Sequence, residues 1–143
     1  MEVMTISSMD GITEEREVMP KGHENEGMFP EAIGAPEKRP FLFEQNKKVV
    51  VFTSRIHPGE TPGSHVLNGA YDLITDLKSE QGRLLRKHFV FKIIPTLNPD
   101  GVARGYYRLD SLGQNLNRFY ADPCKKEQPT IWATKLYVTQ FGQ

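Results

Sequence analysis

The sequence predicts an α/β domain, a mixed sheet with a parallel crossover flanked by helices, and three observations predict it. Residues 49–52 and 89–94 are short, nearly continuous apolar runs without the alternation of a half-solvated strand, so both read as strands buried on two faces. Between them Val66, Leu67, Ala70, Leu73, Ile74 and Leu77 recur at helical spacing on one face. Strand, helix, strand in that order makes the two strands parallel through a right-handed crossover.

Length and composition agree with one domain. The 143 residues are 38% hydrophobic and 25% charged, ordinary values for a globular chain with a sizeable core. No apolar run reaches the length of a membrane span, and Met1 is not followed by a basic-then-apolar leader. Cys124 is the single cysteine, so no internal disulfide forms, as suits a reducing compartment. The expected location is the cytoplasm, with neither membrane nor nucleic acid as partner.

Net charge is zero but unevenly spread. Residues 1–40 hold nine acidic and four basic side chains; residues 82–121 hold seven basic and two acidic ones. A basic segment around a site favours an anionic ligand. Arg83, Arg86 and Lys87 are accounted for as solvated helix charges. Arg104, Arg108 and Arg118 sit among glycines and asparagines in loops, where solvation alone explains them less well.

In chain order, residues 2–7 alternate and read as a short strand. So early a strand suggests a chain cut from something longer. Residues 10–46, rich in Gly, Pro and Glu, read as a long, polar, mobile connection in which His23 is solvated. After the strand at 49–52, Thr61 is the expected N-cap and Pro62 the first helical residue. Gly69 costs that helix about 1 kcal/mol relative to Ala, and His65 borders its apolar stripe. Residues 80–88 read as a second helix, basic at its C-terminal end. Pro95 stops the second buried strand, Asn98-Pro99-Asp100-Gly101 reads as a turn, and residues 130–138 as a last helix.

The candidate chemistry sits where the two strands end. His57 and Glu60 leave a Pro-Gly turn three residues apart, a nitrogen and an oxygen donor on a rigid strand end, as a catalytic zinc requires. In a parallel sheet this end and the Asn98–Gly101 turn share one edge, where α/β ligand sites form. Further on, Asn117 beside Arg118 is a natural carboxylate receptor, an amide next to a guanidinium.

Taken together, Ser54-Arg55-Ile56-His57-Pro58-Gly59-Glu60-Thr61-Pro62, the segment from Phe89 to Gly105, Tyr107-Arg108 and Asn115-Leu116-Asn117-Arg118 resemble the zinc metallocarboxypeptidases. Within them the likeness is to the cytosolic carboxypeptidases, tubulin deglutamylases, and in particular to the type that removes branch-point glutamates. Thr5-Ile6-Ser7-Ser8 with Gly11 to Arg16 resembles the segment preceding the metal strand. The resemblance implies Zn2+ as cofactor, with His57 and Glu60 as two of its ligands. It makes Arg108 the catalytic arginine that polarises the scissile carbonyl. Asn117 and Arg118 would hold the substrate's terminal carboxylate, and Arg104 would contact an acidic side chain. The implied partners are acidic, polyglutamylated protein tails such as those of tubulin.

The chain departs from the family's pattern at two of its residues. No histidine follows His88, and Glu127 is the sole acidic residue after Asp122, so the third ligand and the general-base glutamate have no counterpart. Residues 1–143 are therefore expected to be a partial catalytic domain lacking its carboxy-terminal half and inactive alone. Two alternatives stand beside this. One is an aspartoacylase or succinylglutamate desuccinylase type of zinc amidohydrolase, which shares the His-x-x-Glu motif. The other is a catalytically dead module that binds acidic tails.

Overall fold

The computed structural model describes residues 1–18, 39–44 and 47–141. A three-stranded mixed sheet positions the site. Strand β1 (Met4–Ile6) runs antiparallel to the central β5 (Phe89–Ile94), and β4 (Lys48–Thr53) runs parallel to β5 on its other side. The register runs from Lys48 opposite Phe89 to Thr53 opposite Ile94. Helices α1 (Pro62–Thr75) and α2 (Glu80–His88) make the crossover between the parallel strands.

Alternation along β5 assigns each face its partners. Phe91 and Ile93 are buried with Ile74 of α1, and Val50, Phe52, Leu67 and Leu85 pack around them. Phe52 and Phe91 stack across the strands with ring centroids 6.0 Å apart. Toward the other face Ile94 joins Leu97, Leu116 and Ile131, the last from helix α4 (Pro129–Thr139). Burying each such side chain stabilises the fold by about 1.5–3 kcal/mol.

Lys92, in the middle of β5, is the exception to an apolar strand and has no exposed surface. Its ammonium forms an ion pair with Glu17 and donates to Thr5 Oγ1 at 2.8 Å. Tyr137 of α4 donates its hydroxyl to the other Glu17 oxygen at 3.3 Å. Burial pulls the Lys92 pKa down while the Glu17 contact opposes the shift; burial, then Glu17, pushes the Tyr137 phenol well above its ordinary value. This buried cluster ties the amino-terminal segment and α4 to the sheet.

Several expectations need correction. The connection assigned to residues 10–46 contains two strands, β2 (Ile12–Arg16) and β3 (Phe41–Phe43), paired antiparallel. Pairing with each other satisfies backbone groups that proline-rich flanks made look unstructured, and the Arg16 guanidinium stacks 4.0 Å from the Phe41 ring centre. His23 lies outside the described residues. Val49 to Phe52 are only half-buried, because β4 is an edge strand of the described sheet. For the same reason the stripe on α1 is covered only along Leu67, Ala70 and Ile74, while Val66, Leu73 and Leu77 are exposed. Thr61 has helical backbone angles and makes no side-chain cap. Arg86 is not a solvated charge: it is buried and donates to the carbonyls of Ile74 at 2.6 Å and Asp76 at 3.1 Å, closing the carboxy-terminal end of α1. The last helix starts one residue early, at Pro129.

Breaking the buried pair is the sharpest test of this core. Lys92→Met leaves the Glu17 carboxylate buried without its cation and should lower unfolding free energy in urea by about 3–5 kcal/mol. Lys92→Met with Glu17→Gln removes both charges and should recover most of that loss. A double variant as unstable as the single one would show that Lys92 acts through packing, not through charge.

Candidate active site

The parallel register carries past the ends of the strands. Ser54 N–H donates to the Ile94 carbonyl at 3.1 Å, Leu97 N–H to Ser54 O at 2.9 Å and Asn98 N–H to Arg55 O at 3.1 Å. The two exits therefore stay locked side by side, and the residues following each strand share one edge. Ile56 adds its side chain to the Ile94–Leu97–Leu116–Ile131 cluster, which anchors the turn from below.

Asn98 is the knot at this edge. It is 3% exposed, and its Oδ1 accepts from Gly101 N–H at 3.0 Å, capping the short helix α3 (Pro99–Ala103). The expected turn at Asn98–Gly101 is thus a helix start. The Asn98 side-chain amide donates to the carbonyls of Ile56 at 3.4 Å and Leu109 at 3.3 Å, joining the His57 turn to the loop that carries Arg108. Two glycines permit the close approach. A Cβ on Gly101 would lie 2.4 Å from Pro58 Cγ, and one on Gly59 would lie 2.7 Å from both the ring and the carbonyl of Tyr107. Gly59 N–H also donates to that carbonyl at 2.7 Å, so Arg108 follows a residue bonded directly to the turn.

His57 is 4% exposed and both its ring nitrogens are engaged. Nε2 lies 2.9 Å from Asn115 Oδ1, and Nδ1 lies 2.9 Å from Glu60 Oε1. An amide oxygen accepts only, so the Asn115 contact requires the proton on Nε2. With that proton on Nε2, Nδ1 faces the Glu60 oxygen either as a lone pair, an arrangement that calls for a shared cation, or as the N–H of an imidazolium paired with the carboxylate. Arg108 reaches the same corner, its Nη1 3.6 Å from Glu60 Oε1, with the side chain 43% exposed.

Asn115 caps the one-turn 3-10 helix Leu116–Arg118, and its Oδ1 also accepts from Asn117 N–H at 3.2 Å. Asn117 and Arg118 thus ride on the turn that holds the imidazole. Asn117 is half-buried and Arg118 exposed; among the described residues neither side chain has a hydrogen bond or ion pair. Arg104, at the end of α3, is exposed and likewise unpaired among the described residues, and no contact joins it to His57, Glu60 or Arg108. A hollow of about 350 Å³ opens beside Arg108, lined by Tyr106, Tyr107, Leu109, Asp110, Ser111 and Gly113.

Of the residues expected at the site, His57, Glu60 and Arg108 come together; Asn117 and Arg118 are tied to them through Asn115. Sequence reasoning missed the structural parts played by Asn98, Asn115 and Arg55. The Asn-x-Asn-Arg spacing held a signal for Asn115, since its first asparagine has no use in a carboxylate receptor built from the last two residues. Arg55 has φ +54°, a left-handed conformation that costs a residue other than glycine about 1–2 kcal/mol. Nothing in its sequence neighbourhood announces that.

Comparison with known proteins supplies the family. Residues 1–136 match the zinc carboxypeptidase family. The bovine (Bos taurus) cytosolic carboxypeptidase-like protein 5 is 46% identical over 135 residues, 94% of this chain and 14% of that protein. Cytosolic carboxypeptidase 6 of Caenorhabditis elegans is 43% identical over 102 residues, 71% of this chain and 22% of that protein. The crystal structure of a putative carboxypeptidase A from Shewanella denitrificans superposes with a TM-score of 0.66 at 26% identity, covering 76% of this chain and 31% of that one. The chain thus spans about a seventh of the length of the first of these relatives and under a third of the structure it resembles. These matches separate the carboxypeptidase reading of His57-x-x-Glu60 from the amidohydrolase one: the chain belongs to the zinc carboxypeptidase family.

Proposed function

We propose that this chain carries the first two metal donors and the substrate-binding arginines of a metallocarboxypeptidase that removes glutamate from acidic protein tails, tubulin among them, in the cytoplasm. The observation that carries the reading is the corner formed by His57 Nδ1, Glu60 Oε1 and Arg108. There the Asn115 contact takes the Nε2 proton and leaves Nδ1 facing Glu60. The names of the relatives, cytosolic carboxypeptidases, support the reaction type and the compartment.

Zinc fits this corner in part. An imidazole nitrogen and a carboxylate oxygen facing each other across 2.9 Å are two of the donors zinc takes, and the Asn115 bond supplies the outer-shell support that metal-bound histidines have. Among the described residues no group of three His, Cys, Asp or Glu is placed to hold a metal ion. When bound, zinc supplies Lewis acidity toward a carbonyl and an activated water. The chain's own residues supply the rest. Asn117 and Arg118, both without side-chain partners among the described residues, bind the terminal carboxylate. Arg108 directs a guanidinium at the developing oxyanion. Arg104 adds positive charge for an acidic side chain.

The absence of a third donor among the described residues favours one second reading, a module that binds acidic tails without cleaving them. Both readings require the arginine clamp, and they separate on metal and turnover.

For the 143-residue protein, a two-donor corner should hold zinc weakly, because structural and catalytic sites use at least three protein ligands. Dialysis should leave well under one zinc per chain, and no glutamate should be released from a polyglutamate peptide above a Glu60→Ala control. Stoichiometric zinc lost on His57→Ala would mean that a further residue completes the site.

In a longer protein that carries this segment and a third ligand, the two arginines should fail differently. Arg118→Ala removes a charge-assisted contact to the bound carboxylate and should raise KM by about 10- to 100-fold, with little preference left for free over amidated termini. Arg108→Ala should keep substrate binding and lower kcat by about 10²–10³-fold. Amidated peptides cleaved by the parent enzyme as fast as free ones would end the carboxylate-clamp assignment.

A further inference from the structure

We infer that Arg55 is a positioning residue of the site: its guanidinium clamps the turn bearing His57 and Glu60 and fastens it to helix α1. The inference rests on the proposed function only for what the turn holds; the clamp itself is read from geometry. Arg55 Nε and Nη2 both donate to the Pro58 carbonyl, at 2.9 and 2.5 Å, and Nη1 donates to Ser64 Oγ in the first turn of α1 at 3.0 Å. One side chain thus spans from the end of β4, over the turn, to the start of the helix.

Two further facts make the guanidinium more than a bystander. Pro58 is fully buried, and no other described group donates to its carbonyl. Without Arg55 the oxygen between His57 and Glu60 would lose both of its donors, and a carbonyl left without a partner draws in water or shifts its surroundings to regain one. The second fact is the backbone. At φ +54° glycine is free of the strain that a side chain brings, yet an arginine stands there. The three hydrogen bonds of its planar fork are the compensation the structure displays, and a lysine ammonium, a single point on a flexible stem, cannot make all of them at once.

Arg55→Gly separates the clamp from the fold, because it deletes the guanidinium and relieves the backbone together. The experiment compares parent, Arg55→Gly and Arg55→Lys 143-residue proteins, metal-free, by amide hydrogen exchange and by the imidazole nitrogen signals of His57. Arg55→Gly loses the clamp bonds and relieves the backbone strain together, so the melting temperature should stay close to the parent's and exchange in α2 and β5 should be unchanged. The Gly59 and Glu60 amides should exchange about tenfold faster or more, since they report opening of the turn alone. The His57 Nε2–H signal should broaden as the Asn115 contact loosens. Arg55→Lys should recover less than half of these changes. Parent-like exchange at Gly59 and Glu60 in Arg55→Gly, or full recovery by lysine, would overturn the clamp. A zinc titration of a longer protein that carries this segment and a third ligand, against its His57→Ala variant, is the separate arm. Equal binding by the two would remove the metal reading of the turn and leave the clamp standing, because exchange is measured without metal.

Discussion

The parallel pairing of β4 with β5 is the constraint on which the rest of the molecule depends. It is a backbone interaction, and it does not stop at the strands: Ser54, Arg55, Leu97 and Asn98 prolong it as three more main-chain bonds. Because both chains leave the sheet in the same direction, an imidazole, a carboxylate and an asparagine cap arrive at one edge without any of them being drawn there by its own chemistry. The side-chain contacts refine a meeting that the topology has already arranged. The close approaches at Gly59 and Gly101 follow from it, since two chains kept in register have no room for a Cβ between them.

The fold was legible where a pattern repeats. The two apolar strands, the crossover helices and the basic end of α2 were all readable because burial imposes a period on sequence. Legibility failed where burial depended on a distant partner. Lys92 sits in a strand that reads as apolar, and its counter-charge, Glu17, lies in a stretch whose prolines and glutamates read as an unstructured connection. Neither residue betrays the other. The stripe on α1 was read as one apolar face, but a stripe records only the wish for a partner surface. With β4 at the edge of the described sheet, half of it finds none.

At the site the same distinction holds. His57 and Glu60 could be singled out because their spacing places both donors on one turn, and Arg108 through the family resemblance that its place after Tyr107 carries. Asn115 acts across 58 residues and Arg55 through a backbone angle, two things a linear string does not display. The sequence therefore disclosed the groups proposed to face a ligand and concealed those whose contacts hold them in place. Residues facing a ligand are chosen for their chemistry, which is visible in a single letter, whereas residues that hold them are chosen for geometry.

The forked contact of Asn115 has a consequence for how the two ends of the site communicate. One oxygen accepts both from the imidazole and from the amide of Asn117, so the ring and the 3-10 turn share a single acceptor. Whatever displaces that turn changes the direction and strength of the bond at Nε2, and with it the orientation of Nδ1 on the far side of the ring. Linkage makes any such effect mutual: if a cation were held at Nδ1, it would alter the affinity for an anion on that turn by the same factor. Two ligands that never touch would thereby each report on the presence of the other, through one amide.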